Sequence, residues 1–344
     1  MSLNERSLSI LDAIVEGYIS SGEPMGSRTI AKRQKLSLSP ATIRNVMADL
    51  EEMGYINSPH TSAGRVPTPK GYRFYVDTLL QVRNLSSRER QQMEQQCNLA
   101  NMRTQDLLKR AGRLLSDMSN YTGIVLAPRF TSTTFRHIEF VPLSQQRLLV
   151  IFVSQSGVVQ NKIITMEDSA PTAQELQQIT NYLNESLGGL TIPEVRAKIV
   201  SQMQQEKALY DQMVGNALSF SQEVFNSDIE DDVIIEGVGN IFDQPEFSDT
   251  DRRKRLFNAF EQKNSLIKLL DKSQQAQGVQ IYIGSQAEFQ ELDGCSLITA
   301  NYSNGKQKLG SLGVIGPSRM EYSQVVAMVD YTAQLVSRAL ELES

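Results

Sequence analysis

The sequence predicts an α+β chain of several domains, headed by a helix-turn-helix with a basic hairpin behind it. Three observations carry that expectation. At 344 residues the chain is long enough for two or three cores. Helical periodicity dominates to about residue 118, then gives way to strands, a helical interval and strands again. Residues 26–83 hold nine Lys/Arg against four Asp/Glu, although the whole chain has a net charge of −5. A DNA-binding domain needs a local positive face to release counterions from phosphates; it does not need a basic whole. An acidic remainder also keeps the rest of the chain off DNA.

Taken in order, the first helix is expected from about Asn4 to Ser21, with Leu8, Leu11, Ile14, Val15, Tyr18 and Ile19 on one face and Gly22 and Pro24 ending it. Ser27 can cap a short helix through Lys35, with Ile30, Ala31 and Leu36 inward and Arg28, Lys32 and Arg33 outward. The next helix is the best marked: Ser39 is an N-cap, Pro40 sits where no N–H is needed, and Gly54 closes the far end. Ile43, Val46, Met47 and Leu50 recur at helical spacing as one buried stripe. The opposite side carries Ala41, Asn45 and Ala48, flanked by Thr42 and Arg44. Small residues permit close approach to base edges, Asn pairs bidentately with adenine and Arg with guanine.

A short Tyr55-Ile56 strand and a loop from His60 to Pro67 follow, punctuated by Pro59, Gly64 and Pro67. Ser39, Thr42, Arg44 and Asn45 are the expected base-reading set. Arg28, Thr61, Ser62 and Arg65, with Lys70 and Arg73, are the expected phosphate and minor-groove contacts. The plain alternative is a three-helix subdomain whose charges are simply solvated. Tyr72, Tyr75, Val76 and Leu79 then fall at helical spacing and read as core.

Ser86 and Glu89 form a capping box opening a polar helix from Arg88 toward Met118, apolar in its later half. Strands are expected at 123–126, 137–143, 147–153 and 158–165. Capping boxes at Thr172/Glu175 and Thr191/Glu194 open helices, the second reaching about Phe225. A short strand at 233–235 follows, then a helix from near Ser248 that buries Leu256, Phe257, Phe260, Ile267 and Leu270. Strands at 279–283, 295–302 and 308–315 and a helix from Tyr322 to Leu342 complete the chain. This order suggests one α+β domain interrupted by an insertion.

The run from Pro24 to Asp77 resembles the winged-helix domain of the HrcA family, the heat-inducible transcription repressors of bacteria. Its blocks are GSRT, ATIRNVMADLEEMG, PHTSAGRVPT and KGYRFYVD; a further block, GSLGVIGPSRMEYSQVVAMVDY from Gly310, is similar to the same family. The resemblance implies a winged-helix domain over 1–84, a linker helix region over 85–120, and a GAF-like domain in two parts, 121–189 and 273–344. It also implies an inserted helical dimerisation domain over 190–272. It further implies a homodimer on an inverted-repeat operator in double-stranded DNA upstream of chaperone genes, and dependence on a GroE-type chaperonin.

Catalysis is not expected. His60 and His137 have no acidic or Cys partner nearby in sequence, Ser265 and Lys268 lack any companion motif, and Gly237-Val238-Gly239 lacks a third glycine. The acidic run 228–232 lacks the glycine and spacing of a calcium loop. Cys97 and Cys295 form no metal or disulfide framework and are expected as reduced cytoplasmic thiols. No cofactor is expected, nor any membrane span or signal peptide. A second functional class is a regulator whose GAF-like part senses a small ligand. Only GSLGVIGPSRM offers features for that, with Arg319 the candidate ligand residue.

Overall fold

The computed structural model describes residues 3–33, 38–59, 64–96, 103–128, 134–144, 146–155, 159–165, 172–191, 194–195, 198, 233–284, 292–305 and 308–342. They form two compact units. One comprises Met1–Leu126, Val233–Tyr302 and Ser311–Val336; the other comprises Ala127–Asp232, Ser303–Gly310 and Ser337–Ser344.

The first unit begins with a winged-helix head. Helix α1 (Glu5–Ser21) starts where the Asn4 side chain accepts from Ser7 N, and it stops at Gly22, whose φ of 69° is left-handed. It buries Ile10, Leu11, Ile14 and Val15 against α2 (Ser27–Arg33) and α3 (Pro40–Glu52), which contribute Ile30, Ile43, Met47 and Leu50. Strands β1 (Ile56–Asn57) and β2 (Val66–Pro67) pair antiparallel. Helix α4 (Pro69–Phe74) continues into a π-helical turn over Tyr75–Leu79, with Tyr72 and Tyr75 buried. Gly71 is required there: a Cβ would stand 2.1 Å from the Tyr55 carbonyl oxygen.

The expected single helix over 88–118 is two helices. α5 (Ser87–Gln96) opens on the Ser86–Glu89 box, and α6 (Thr104–Ser119) starts after Arg103, whose backbone is extended. α6 packs on a five-stranded antiparallel sheet ordered β7-β3-β10-β9-β8: β3 (Thr122–Leu126), β7 (Val233–Glu236), β8 (Gln280–Ile283), β9 (Cys295–Ser303) and β10 (Lys308–Pro317). Alternation along β3 assigns the two faces. Gly123 and Val125 lie against Gly112 of α6, so closely that a Cβ on Gly123 would stand 2.0 Å from the Gly112 carbonyl oxygen. Ile124 and Leu126 face a core with Ile241 of α8 (Val238–Phe242), Leu256 and Phe260 of α9 (Thr250–Gln262), and Leu266 and Leu270 of α10 (Asn264–Gln275). Helices on both faces explain why β3 is buried throughout and β10 at every position after Lys308. Helix α11 (Tyr322–Leu342) closes the chain with Val325, Val329 and Val336 buried.

The second unit contains the meander β4 (Phe135–Ser144), β5 (Arg147–Ser154) and β6 (Val159–Thr165). Helix α7 (Ala173–Leu187), opened by the Thr172–Glu175 box, covers one sheet face, packing Leu176, Ile179, Leu183 and Leu187 on Phe135, Ile138, Leu148, Val150 and Phe152. Asn184 pins the helix to the sheet edge, accepting from Ile138 N at 2.8 Å and donating to Ile138 O at 3.1 Å. On the other face Leu149 pairs in register with Ile163, and Val153 with Val159. Val159 and Ile163 are 61% and 45% exposed.

These units divide the chain elsewhere than the sequence boundaries 121–189, 190–272 and 273–344. β7 pairs with β3, and α8 to α10 pack on that same sheet, so Val233–Tyr302 and Ser311–Val336 rejoin the first unit. The strands β4 to β6, read as continuous with β3, belong to the interruption instead. Pairing between segments more than a hundred residues apart leaves no mark on local periodicity. The helix expected from Ser248 is likewise two, separated by Lys263 at φ 54°, and Phe257 is 50% exposed where burial was expected. His60, Cys97 and the acidic run 228–232 lie outside the described residues.

Candidate nucleic-acid interface

The interface candidate is the head's α3 and wing. At the start of α3, Ser39 accepts from Thr42 N at 3.1 Å and stands 3.0 Å from Thr42 Oγ1. Both hydroxyls are therefore engaged in the cap, a contact worth about 0.5–2 kcal/mol. Ile43, Met47 and Leu50 are buried, which turns Ala41, Arg44, Asn45 and Ala48 outward and exposed, with Thr42 half-buried. Among the described residues Arg28, Arg44 and Asn45 make no side-chain hydrogen bond or ion pair and are exposed. The sequence-derived reading set thus shares one helix face, with Arg28 on the exposed side of α2.

The wing is anchored at its base. Met25 and Arg65 exchange two backbone hydrogen bonds of 2.9 Å, adding a third strand position beside β2. This approach requires Gly64, since a Cβ there would stand 2.6 Å from the Pro24 carbonyl oxygen. The Arg65 side chain reaches back to α3, donating to Glu51 Oε2 from Nε at 2.9 Å and pairing through Nη2 at 2.8 Å. At 27% and 34% side-chain exposure this pair is worth at most about 1 kcal/mol. Arg65 can therefore exchange Glu51 for a phosphate at small cost. Thr61 and Ser62 lie outside the described residues.

Lys70 and Arg73 both have partners within the chain. Lys70 is exposed, donates to Met53 O at 2.8 Å beyond the end of α3, and stands 4.7 Å from the centre of the Tyr55 ring. Arg73 donates to Ile281 O of β8 at 2.7 Å and pairs with Asp77, whose hydrogen bond holds the guanidinium pKa above its usual range. Arg73 thus faces the α+β body of its own unit.

Arg319 occupies a comparable position. It pairs through Nε with Glu246 and donates from Nη1 to Ile19 O at 3.1 Å, in the last turn of α1. Burial disfavours its charge, but the Glu246 hydrogen bond and carboxylate, with Tyr121 and Tyr18, more than offset this and raise its pKa. The glycines of the same block are packing devices. A Cβ on Gly313 would stand 2.1 Å from Ile298 O, and one on Gly316 would stand 2.8 Å from the Tyr121 ring.

Sequence reasoning missed Glu51 and Thr68. Thr68 accepts from Gly71 N at 3.1 Å as the α4 cap and donates to Gly54 O at 2.7 Å, tying the end of α3 to α4. Its position just before Pro69 was the available signal. Glu51 read as one more solvated helix charge. Elsewhere, His137 contacts Glu139 at 3.1 Å on an exposed strand edge, which corrects the expectation that it has no acidic partner nearby in sequence. Cys295 is buried, its thiol pKa pushed up to about 12 by burial. Among the described residues no His/Cys/Asp/Glu cluster could hold a metal, and no helix is long and apolar enough to cross a membrane.

Two family models match this chain. One, described as the winged helix-turn-helix DNA-binding domain of the HrcA transcription repressor, covers residues 2–79; the other, the HrcA protein C-terminal domain, covers residues 105–326. A heat-inducible transcription repressor HrcA of Geobacter sulfurreducens is 52% identical over 341 residues, covering 99% of each chain. Proteins of the same description from Syntrophobacter fumaroxidans and Methylobacillus flagellatus are each 42% identical, covering 98% of each chain. A crystal structure of a hypothetical protein aligns over 99% of both chains with a TM-score of 0.61 at 22% identity, a likeness of fold.

Proposed function

The chain belongs to the HrcA family of transcription repressors, and from that membership we propose that two copies together bind an inverted-repeat operator in the cytoplasm, upstream of chaperone genes. It is a repressor with a winged-helix DNA-binding domain and not an enzyme. The observation that carries the rest of the reading is the outward face of α3, where Arg44 and Asn45 stand exposed and without protein partners among the described residues. Asn45 and Arg44 read base edges in the major groove, and Ala41 and Ala48 allow close approach. Arg28, Arg65 and the wing residues Thr61 and Ser62 contact the backbone. Ser39 and Thr42 shape the start of the helix and meet DNA through the same cap. Lys70 is exposed at the far end of α3 and reaches phosphate from there; Arg73 does so only by leaving Asp77 and Ile281.

The homodimer is supported by the exposed apolar positions Val159 and Ile163 on the sheet face opposite α7. A monomer gains nothing by leaving that face in water, and a second copy would cover it. Two-fold pairing then matches inverted half-sites separated by about 34–36 Å or a multiple. The α+β body is GAF-like in this reading.

Repression lifts on heat stress when a GroE-type chaperonin is titrated by other clients and the repressor loses its active fold. A loss of about 1–2 kcal/mol changes the active fraction several-fold. Gly313 and Gly316, in the one block that offered features for a ligand, stand in close packing contact, so no observation favours ligand sensing. A mobility-shift titration on an inverted repeat selected from random duplexes, with and without chaperonin and ATP, tests the reading. Specific binding that rises with chaperonin is expected; binding indifferent to chaperonin but altered by a metabolite extract would replace this reading with ligand sensing.

A further inference from the structure

The head and the α+β body of the first unit are joined by side chains from distant parts of the chain. Arg319, just beyond β10, holds Ile19 O at the end of α1 and pairs with Glu246 near α9. Arg73 of α4 holds Ile281 O of β8. Ser323 at the start of α11 accepts from Arg83 N at 3.0 Å and donates to Gln81 O at 2.6 Å, just past the head's last turn. Between these links the rings of Tyr72 and Tyr322 stand 6.1 Å apart, both buried. The links meet the head on α1, α4 and the segment after α4, leaving the outward face of α3 clear.

Links on three separate elements remove rotational freedom that one tether leaves. A head tethered only through residues 80–86 could swing and accept half-sites at many separations. A head held at three places presents α3 in one direction. In an inverted-repeat reader, that direction decides which half-site spacing two heads can grip together.

We propose that Arg319, with Glu246, is a positioning residue that fixes α3 on the body and thereby sets the half-site spacing the repressor accepts. The proposal rests on the operator reading above. Arg319 touches no base or phosphate in it; it acts through Ile19 and the direction of α1. Losing it leaves the single-head interface intact and loosens the angle between head and body.

The test uses the inverted repeat selected by the full-length chain, the same repeat with about five base pairs inserted between its halves, roughly half a helical turn, and a duplex with one half-site. Wild type, Arg319→Ala, Glu246→Gln, Ser323→Ala and the Glu246→Gln/Ser323→Ala pair are compared, with folding checked by circular dichroism. Wild type is expected to prefer the selected spacing on the order of a hundredfold. Arg319→Ala is expected to cut that preference about tenfold or more while its affinity for the single half-site stays at wild type. Should Arg319→Ala fail to fold, the Glu246→Gln/Ser323→Ala pair carries the same expectation from the other sides of the joint. Folded variants that keep the wild-type preference overturn the proposal. Wild type binding the repeat no better than one half-site overturns the dimeric operator reading, and the proposal with it, so the two failures are told apart.

Discussion

On the outward side of α3, Arg44 and Asn45 are exposed and engage nothing described in the protein, while on α4 of the same head Arg73 is held by Asp77 and Ile281. The two sides have similar side-chain chemistry and opposite fates. A polar group left unpaired at a surface keeps its hydrogen-bonding capacity for a partner; one satisfied internally stabilises a joint instead. Charge alone does not separate a reading face from a docking face. What separates them is whether another part of the chain arrives to take the charge, as Ile281 and Asp77 do for Arg73, and Glu246 does for Arg319.

That contrast can be broken most forcefully at Gly71, on the docking side. Its Cβ would collide with the Tyr55 carbonyl, so Gly71→Ala should destabilise the head by about 3 kcal/mol or more. Thermal unfolding would show the loss, and operator binding should fall with it. A melting curve like wild type would mean that α4 does not depend on this close approach. Tyr72→Phe sharpens the contrast in the opposite direction. The Tyr72 hydroxyl is buried with no partner among the described residues, so its removal should stabilise by about 1 kcal/mol. A drop in melting temperature would indicate that this hydroxyl is satisfied.

Arg65→Ala should change stability by less than about 1 kcal/mol, because Glu51 is partly exposed and returns to water. It should weaken operator and random DNA alike and lower the salt slope by about one; a loss confined to the operator would make Arg65 a base reader. The smallest effect concerns the second unit. The backbone N–H and hydroxyl of Thr172 hold the Glu175 pKa below the ordinary carboxylate range. A carboxylate pKa depressed by folding stabilises above the unfolded value, and that stabilisation is lost as pH falls through the folded one. Glu175→Gln should therefore melt slightly earlier than wild type at neutral pH, with the gap closing on acidification. A gap that is constant with pH would count against the ionised cap.

Much of the head was legible because its signals are local. Asn4, Gly22, Ser39 and Pro40 mark helix ends through their own hydrogen bonds and torsions, and the structure puts the ends there. The stripe Ile43, Met47 and Leu50 specifies which side of α3 is outward, so Arg44 and Asn45 could be assigned without any tertiary knowledge. The Arg73–Asp77 pair is local, but the joints are not: Ile281 lies 208 residues from Arg73, and Glu246 and Ile19 lie 73 and 300 residues from Arg319. The same limit explains why the division into two compact units differs from the sequence boundaries at 189/190 and 272/273. The β3–β7 pair joins strands whose individual patterns carry no address for each other. Helix breaks at Arg103 and Lys263 were missed because neither residue is a helix breaker by type.

The most direct test of the reading face is a mobility-shift titration of wild type and Asn45→Ala on the selected inverted repeat and on random duplex, at one fixed salt concentration. The expected result is a loss of about 1–3 kcal/mol per half-site on the repeat, unchanged affinity for random DNA and an unchanged melting temperature. Equal losses on both duplexes, or none on either, would contradict the assignment of α3's outward face as the element that reads sequence.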